Sequence, residues 1–401
     1  MARETPTVAH VTPWYLPHIG GLERHVESIS TGLPGFNFII FTPRMPGTSA
    51  TDKLDDRVQI HRFGPPKFPA EPRGRPFAAP RDWIARSARL ANLRKALREN
   101  RFDILHVHRP PIIELAYLAA SRGQNVPLQR LSRQLNRLPN YGKGQVFTDH
   151  GLFILPSSTS PLELRWFMEW VLEEYDHVIC VDPSGYERAA AIRDSDPIRF
   201  SSVTIHHIPQ PIDTNHFRPT PMPDSKDLVV GYSGRWERDG MFLLESLVAN
   251  PPLGVRFVIS GGATPRDLDR FAPSLKGDTV DLQPNLLSTA DLARFYHRIH
   301  VLVDFYRGDG TGRSVIEAMA SGRAVVRIRA RDTYPVVDGE TGILVDPSLK
   351  SIHAALGNLA ANPDRVFKLG RAAREAVARD YGLRRVLQRI DTIYRRCLRD
   401  R

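Results

Sequence analysis

The sequence predicts an α/β protein made of two doubly wound, Rossmann-like domains, and three observations carry that prediction. Short apolar runs rich in valine and isoleucine alternate with segments of helical period along all 401 residues. Near the middle, PQPIDTNHFRPTPMPDSKD sets five prolines between one such series and the next, which is the composition of a linker. Each series also contains glycine-bearing strand-to-helix turns, Gly20-Gly21 in the first and Gly308 to Gly322 in the second. A chain of this length is long for one core and fits about two domains. The expected division is a first domain over 1–210, a linker over 211–226, a second domain over 227–380 and a C-terminal helix over 381–401.

Taken in order, Val8 to Thr12 reads as a strand that enters a loop carrying Pro13, Pro17, Gly20 and Gly21. Leu22, Val26, Ile29 and Leu33 then recur at helical spacing. This is the strand-helix start of a doubly wound sheet, in which ligands sit beyond the carboxyl ends of the strands. Further strands are expected at FNFIIF, VQIHRF and DILHVHRP, with a proline- and arginine-rich loop from Pro65 to Pro80. Arg81 to Asn100 reads as an amphipathic helix, with Trp83, Leu90, Leu93 and Leu97 on one stripe and Arg86, Arg89, Arg94 and Arg98 around it. Two readings fit it: a helix packed on the sheet with a solvated basic face, or one docked on an anionic membrane surface. GQVFTDHGLF gives a short strand that leaves His150 at the carboxyl edge of the sheet. A neutral imidazole there can donate a hydrogen bond to a substrate oxygen. A helix from Leu162 to Tyr175 and strands at DHVICVD and SVTIHHIP close the first series.

The second series opens with LVVGYSGRW, a strand running to Gly234 and Arg235. Arginine suits a diphosphate because its planar fork grips two oxygens at once. Strands at VRFVISGG and near Thr279 to Leu282, and a helix from Thr289 to Ile299, lead to the apolar run Val301 to Phe305. That run delivers the chain into GDGTGRSVIEAMASG, which has three glycines in five positions and then Val315, Ile316, Ala318, Met319 and Ala320 at the spacing of a buried helix. Glycines let the backbone approach a ligand, while free N–H groups and the positive end of a helix favour an anion. Phosphate is the natural candidate. Asp309 and Glu317 flank such an anion and suit hydroxyl-bearing groups on either side of a diphosphate, so the stretch describes a nucleotide-sugar site. AVVRIR and TGILVD follow as strands, and helices fill the chain from Lys350 onward.

Composition narrows the function class. No apolar run approaches the ~20 residues that span a bilayer, and MARETPTVAH lacks the basic and apolar regions of a signal peptide, so a cytoplasmic protein is expected. Cys180 lies in the apolar run HVICV and is expected as a buried free thiol. The formal charge of +11 is concentrated: between Arg73 and Arg137 there are 14 lysines and arginines against 4 acidic residues. Aromatic residues are sparse in that segment, which argues against a nucleic-acid platform. His106 and His108 alternate on one strand, but no third histidine is spaced to complete a metal site, and none is expected.

The glycine-rich stretch resembles the signature of retaining glycosyltransferases of the GT-B fold, family 4: a glutamate, seven residues, then a second glutamate followed by an alanine-rich helix and a glycine. Asp309 and Glu317 hold the two acidic positions, with aspartate one methylene short at the first. Residues near Gly20, His150, Asp213, Arg235 and Glu317 follow the family's order, so the resemblance spans nearly the whole chain. It implies two Rossmann-like domains facing a cleft, the first for the acceptor and the second for the nucleotide sugar, with the C-terminal helix folding back on the first. It also implies roles. His150 and Asp309 would be catalytic, the histidine beside the reacting sugar carbon and the aspartate on donor-sugar hydroxyls. Gly20, Gly21, Arg235, Arg238, Gly312, Arg313, Ser314 and Glu317 would hold the donor, with Glu317 on the ribose. His108 and Arg109 would meet the acceptor. The family pairs its arginine with a lysine where this chain has Asp239, leaving Arg238 or Arg313 to supply the second charge.

The resemblance therefore implies a retaining, metal-independent transfer from a nucleotide diphosphate sugar, itself a co-substrate with no further cofactor. The acceptor would be a small molecule or a lipid-linked glycan, the latter with peripheral contact at the inner face of the membrane. Two alternatives stay open: a catalytically degenerate nucleotide-sugar binder, and an epimerase or phosphorylase of the same fold.

Overall fold

A computed structural model of the chain describes residues 4–66, 80–109, 126–139, 142–151, 165–234, 240–261, 265–272, 280–283, 288–306 and 310–399. It divides into an N-terminal unit, Met1–Pro209 with Val386–Arg401, and a C-terminal unit, Gln210–Arg385.

In the N-terminal unit, eight strands form one sheet: β1 (Thr7–Val11), β2 (Asn37–Pro43), β3 (Thr51–Lys53), β4 (Val58–Phe63), β5 (Ile104–Val107), β6 (Gly144–Asp149), β7 (His177–Cys180) and β8 (Thr204–His207). Their order is β3-β4-β2-β1-β5-β6-β7-β8. Chain order reverses between β1 and β5, and ligands of such sheets bind at that reversal, beyond the carboxyl ends of the strands. Every pairing is parallel except that of β3 with β4. Sequence reading does not reveal β3, because TDK is polar and wholly exposed. A short charged strand of that kind suits a sheet edge.

One face of this sheet carries an apolar core. Ala9, Val11, Leu105, Val107 and Phe147 pack there with Leu93 and Leu97 of the Pro80–Glu99 helix and with Trp166, Phe167 and Trp170 of the Arg165–Glu174 helix. The other face lies under the C-terminal helix Leu383–Arg399, which buries Val386, Leu387, Ile390, Ile393, Tyr394 and Cys397 at helical spacing. Small residues let that helix come close. A Cβ on Gly144 would stand 2.5 Å from Cys397 Cβ, and one on Gly32 would stand 2.4 Å from Leu387 Cδ1. Cys180 and Cys397 are both buried free thiols.

In the C-terminal unit, six strands pair in parallel: β9 (Leu228–Ser233), β10 (Val255–Ser260), β11 (Val280–Gln283), β12 (Val301–Asp304), β13 (Ala324–Ile328) and β14 (Ile343–Val345). The order β11-β10-β9-β12-β13-β14 reverses between β9 and β12. Val230, Val301, Val303 and Val326 enter one core, while Val229, Leu302 and Val325 enter a second on the opposite face. Burial on both faces explains why these strands read as unbroken apolar runs.

The proline-rich stretch read as a linker, 211–226, is an anchored strap of this unit. Ile212 and Phe217 are buried in its second core. The Ile212 N–H donates to the Tyr381 carbonyl at 2.9 Å, the Leu383 N–H donates to the Ile212 carbonyl at 2.9 Å, and Arg374 Nη1 donates to the Phe217 carbonyl at 3.0 Å. Prolines remove donors and fix φ, but they leave two apolar side chains free to anchor the segment.

Candidate active site

In the N-terminal unit the register of three central strands decides the site. His10 of β1 lies opposite His106 of β5, and His108 and His150 follow directly after the ends of β5 and β6. The imidazoles form a continuous hydrogen-bonded series. His150 Nε2 meets His108 Nδ1 at 3.2 Å, and His108 Nε2 meets His10 Nδ1 at 2.5 Å. His10 Nε2 approaches Tyr394 Oη at 3.5 Å. The same hydroxyl meets His106 Nδ1 at 2.7 Å, and His106 Nε2 meets Thr148 Oγ1 at 2.7 Å. The His25 ring stands edge-on to His150 with centroids 4.7 Å apart. Sequence spacing gave no third histidine beside His106 and His108, yet His10, His25 and His150 all arrive there. The correction comes from strand pairing and helix packing: His10, His106 and His108, and likewise His25, His108 and His150, offer ring nitrogens within 4.8 Å of one another.

Burial holds these rings neutral. Desolvation lowers His10 to about 3, and it brings His150 to about 3 with Arg109 adding repulsion. Desolvation, with neighbouring rings adding to it, pushes His106 and His108 well below the ordinary histidine value.

Arg109 continues from His108 and lays its guanidinium 5.5 Å from the centre of the Trp14 ring, a cation–π contact. Gly20 and Gly21 start the Gly21–Gly32 helix. The space beside Gly20 belongs to Glu23, whose Oε2 would lie 2.5 Å from a Cβ at that position. The buried Glu23 carboxylate pairs with His18 Nδ1 at 2.9 Å. Sequence reasoning missed Glu23, although an acidic residue in the first turn behind paired glycines is a readable signal.

In the C-terminal unit the carboxyl ends of β9 and β12 lie side by side. Gly240 has φ +100° and sits so close to the end of β12 that a Cβ would stand 2.6 Å from the Phe305 carbonyl oxygen, a position only glycine fills without strain. Gly312 is the N-cap of the Arg313–Ala320 helix and provides no side-chain cap. The first-turn N–H groups and Ser314 thus stand at the carboxyl edge of the sheet, where a helix start favours an anion.

Glu317, one turn in, is buried and accepts from Arg313 Nε at 3.0 Å and from Tyr296 Oη at 3.0 Å. Arg313, expected to supply charge to a phosphate, is thus ion-paired to the carboxylate expected on the ribose.

Arg327 braces the glycine-rich loop from below, and sequence reading passed over it. It is fully buried on β13, donates from Nη1 to Thr311 Oγ1 at 2.7 Å and from Nη2 to the Gly310 carbonyl, and lies 3.3 Å from Asp304 Oδ2. Thr311 in turn donates to the Tyr334 carbonyl at 2.7 Å. One arginine inside AVVRI was the available signal, since a buried strand admits a charge only when it is paired.

Asp309, Arg235, Arg238 and Asp239 lie outside the described residues. The remaining expected residues fall into two groups. Gly20, Gly21, His108, Arg109 and His150 gather at the carboxyl edge of the first sheet, and Gly312, Arg313, Ser314 and Glu317 at that of the second. Among the described residues no helix is long and apolar enough to cross a membrane. On the basic helix, Trp83 and Arg86 fall where side chains are not described. Arg94 donates to the carbonyls of Gln134 at 2.9 Å and Arg137 at 2.8 Å, closing the end of the Val126–Asn136 helix.

Two parallel doubly wound sheets, each with polar residues at the point where its strand order reverses, define a class, and comparison with known proteins gives it a name. Residues 19–216 match the model of Glycosyltransferase Family 4 and residues 227–362 that of Glycosyl transferases group 1. The chain belongs to the glycosyltransferases that join these two domains, and its fold is GT-B. Comparison with curated proteins finds no match.

Among solved structures, sucrose-phosphate synthase from Thermosynechococcus elongatus superposes with a TM-score of 0.72 at 18% identity, over 99% of this chain and 100% of that one. The Anabaena protein Alr3699/HepE, in complex with UDP and glucose, gives 0.66 at 14% identity over 97% and 99% of the two chains. The catalytic domain of starch synthase IV from Arabidopsis thaliana, bound to ADP and acarbose, gives 0.59 at 14% identity over 98% and 99%.

Proposed function

We propose that the chain transfers a sugar from a nucleotide diphosphate sugar to a hydroxyl-bearing acceptor, with retention of anomeric configuration and without a metal ion. The observation that carries this reading is the Gly310–Ser314 turn: an uncapped helix start at the strand-order reversal of the C-terminal unit, braced by Arg327, with Glu317 one turn in. Helix N–H groups there stabilise the negative charge that grows on the departing diphosphate, as a metal does in other transferases. Arg235 and Arg238 are assigned to the same phosphates by their place in the family pattern, and Glu317 to the ribose. Asp309 is assigned to the hydroxyls of the donor sugar. The family pattern likewise assigns His150, in the N-terminal unit, to the reacting carbon, and His108 and Arg109 to the acceptor.

The complexes of HepE with UDP-glucose and of starch synthase IV with ADP and acarbose support a nucleotide-sugar donor and a glycan or sugar-like acceptor. They differ in nucleotide, so UDP- and ADP-sugars are the first donors to try. A lipid-linked acceptor would add contact with an anionic membrane surface, and flotation with anionic liposomes at low salt reads that directly.

The test of function is donor turnover. Purified protein given UDP- or ADP-sugar with a panel of hydroxyl acceptors should release nucleoside diphosphate and yield product of the donor's anomeric configuration, at equal rate with EDTA. Tight donor binding with no turnover would mark a catalytically degenerate binder, and loss of rate in EDTA would remove the metal-free mechanism.

A further inference from the structure

The series running from His150 to Thr148 uses both nitrogens of His10, His106 and His108. A neutral imidazole is donor at one nitrogen and acceptor at the other. Once one link has a direction, every link has the same direction. The direction is set at Tyr394, the only hydroxyl standing between two rings of the series. A phenol donates strongly and accepts weakly, so its proton belongs in the short 2.7 Å contact to His106 Nδ1 and not in the 3.5 Å contact to His10 Nε2. His106 Nε2 then donates to Thr148 Oγ1, and His10 Nε2 donates to the Tyr394 oxygen. His10 Nδ1 accepts from His108 Nε2, and His108 Nδ1 accepts from His150 Nε2.

We propose that this buried series is a relay fixing the tautomer of His150, so that its Nδ1 carries a lone pair and accepts a hydrogen bond from a ligand hydroxyl. Tyr394, His10 and His108 are positioning residues for that atom, and the inference rests on the reading of His150 as an active-site residue. It reverses the role the sequence assigns to this ring, which was donation to a substrate oxygen. His150 Nδ1 is sheltered from solvent and has no protein partner among the described residues. A buried acceptor left unpaired is costly, and a hydroxyl of a bound sugar offsets that cost. The relay also gives the C-terminal helix a chemical role, because its Tyr394, 244 residues from His150 in sequence, closes the circuit at the sheet. Burial keeps the Tyr394 phenol protonated and the rings neutral, as one-way donation requires.

The test is the tautomer itself, read by long-range 15N–1H correlation on protein labelled in its histidines, with His150→Gln assigning the resonance. At pH 7 His150 should be neutral and protonated at Nε2. A proton on Nδ1, or a cation, would overturn the relay. Tyr394→Phe removes the hydroxyl, should turn that single tautomer into a mixture and lower kcat about tenfold, with donor KM within twofold. Thr148→Val removes the acceptor at the end of the series and should turn the single His150 tautomer into a mixture, while Thr148→Ser should restore the single tautomer; a shift in signal without a change of tautomer is what nearness on the same strand alone would give. An unchanged His150 tautomer in folded Tyr394→Phe or Thr148→Val protein would refute the proposal. The nuclear-spin readout needs no turnover. A correct tautomer in a protein without transferase activity would leave the relay standing and remove only the catalytic reading.

Discussion

Glu317 and Arg327, which we propose shape the donor half of the site, are both buried polar groups whose partners sit nearby. Arg327→Met keeps bulk but removes the cation beside Asp304 and the donors to Gly310 and Thr311. Breaking one side of such a pair should destabilise the protein by about 3 kcal/mol. Chemical denaturation should record that loss, and a variant as stable as the parent would show that the loop stands without its brace. His150→Ala should abolish transfer with donor affinity within threefold, checked by turnover and by equilibrium binding of UDP. Glu317, His150 and the glycines stood out as candidates because each stands in a short local pattern. Arg327, Tyr296, Glu23 and His10 did not, because their partners lie far along the chain and no spacing rule reaches them.

The C-terminal helix and the histidine face are the elements with the clearest consequences. Gly144→Val places a side chain where Cys397 already lies 2.5 Å from the Cβ position. Overpacking of that kind costs typically 1–3 kcal/mol, and the paired substitution Cys397→Ala should recover part of it, as a double-mutant cycle in urea would show.

The histidine face sets the response to acid. The folded state holds His10 and His150 at about 3, below the ordinary 6.5. The unfolded chain therefore takes up protons first as pH falls. Their contribution to stability is fully present above about pH 6.5 and is lost toward the folded values, at about 1.4 kcal/mol per pH unit for each group. Melting temperature should fall steeply between pH 6.5 and 4, and less steeply, by one group's share, in a His10→Gln variant that still folds. A flat profile would contradict the neutral, buried series. At this scale most strands and helices were readable from period alone. Strand β3 was not, because an exposed edge has no apolar pattern, and the prolines of 211–226 hid the two apolar anchors, Ile212 and Phe217, within it.

For the whole molecule, the alternation of strand and helix was enough to foresee two parallel sheets, since a parallel strand pair needs a crossover and the crossover is nearly always right-handed. Strand order within each sheet, and with it the place of each reversal, came only from the structure. Asp309 and Arg235 were expected from the chemistry of their stretches and Arg238 from the family pattern, and all three lie outside the described residues. The central claim is that the C-terminal unit binds a nucleotide diphosphate sugar at the start of the Arg313–Ala320 helix. The measurement that tests it most directly is thermal unfolding of the protein and of Glu317→Ala across UDP-, ADP- and GDP-sugars. One nucleotide class at a hundredfold its Kd should stabilise the parent by about 2.7 kcal/mol, and Glu317→Ala should lose most of that shift. No shift with any of them, or an equal shift in the variant, would contradict the account.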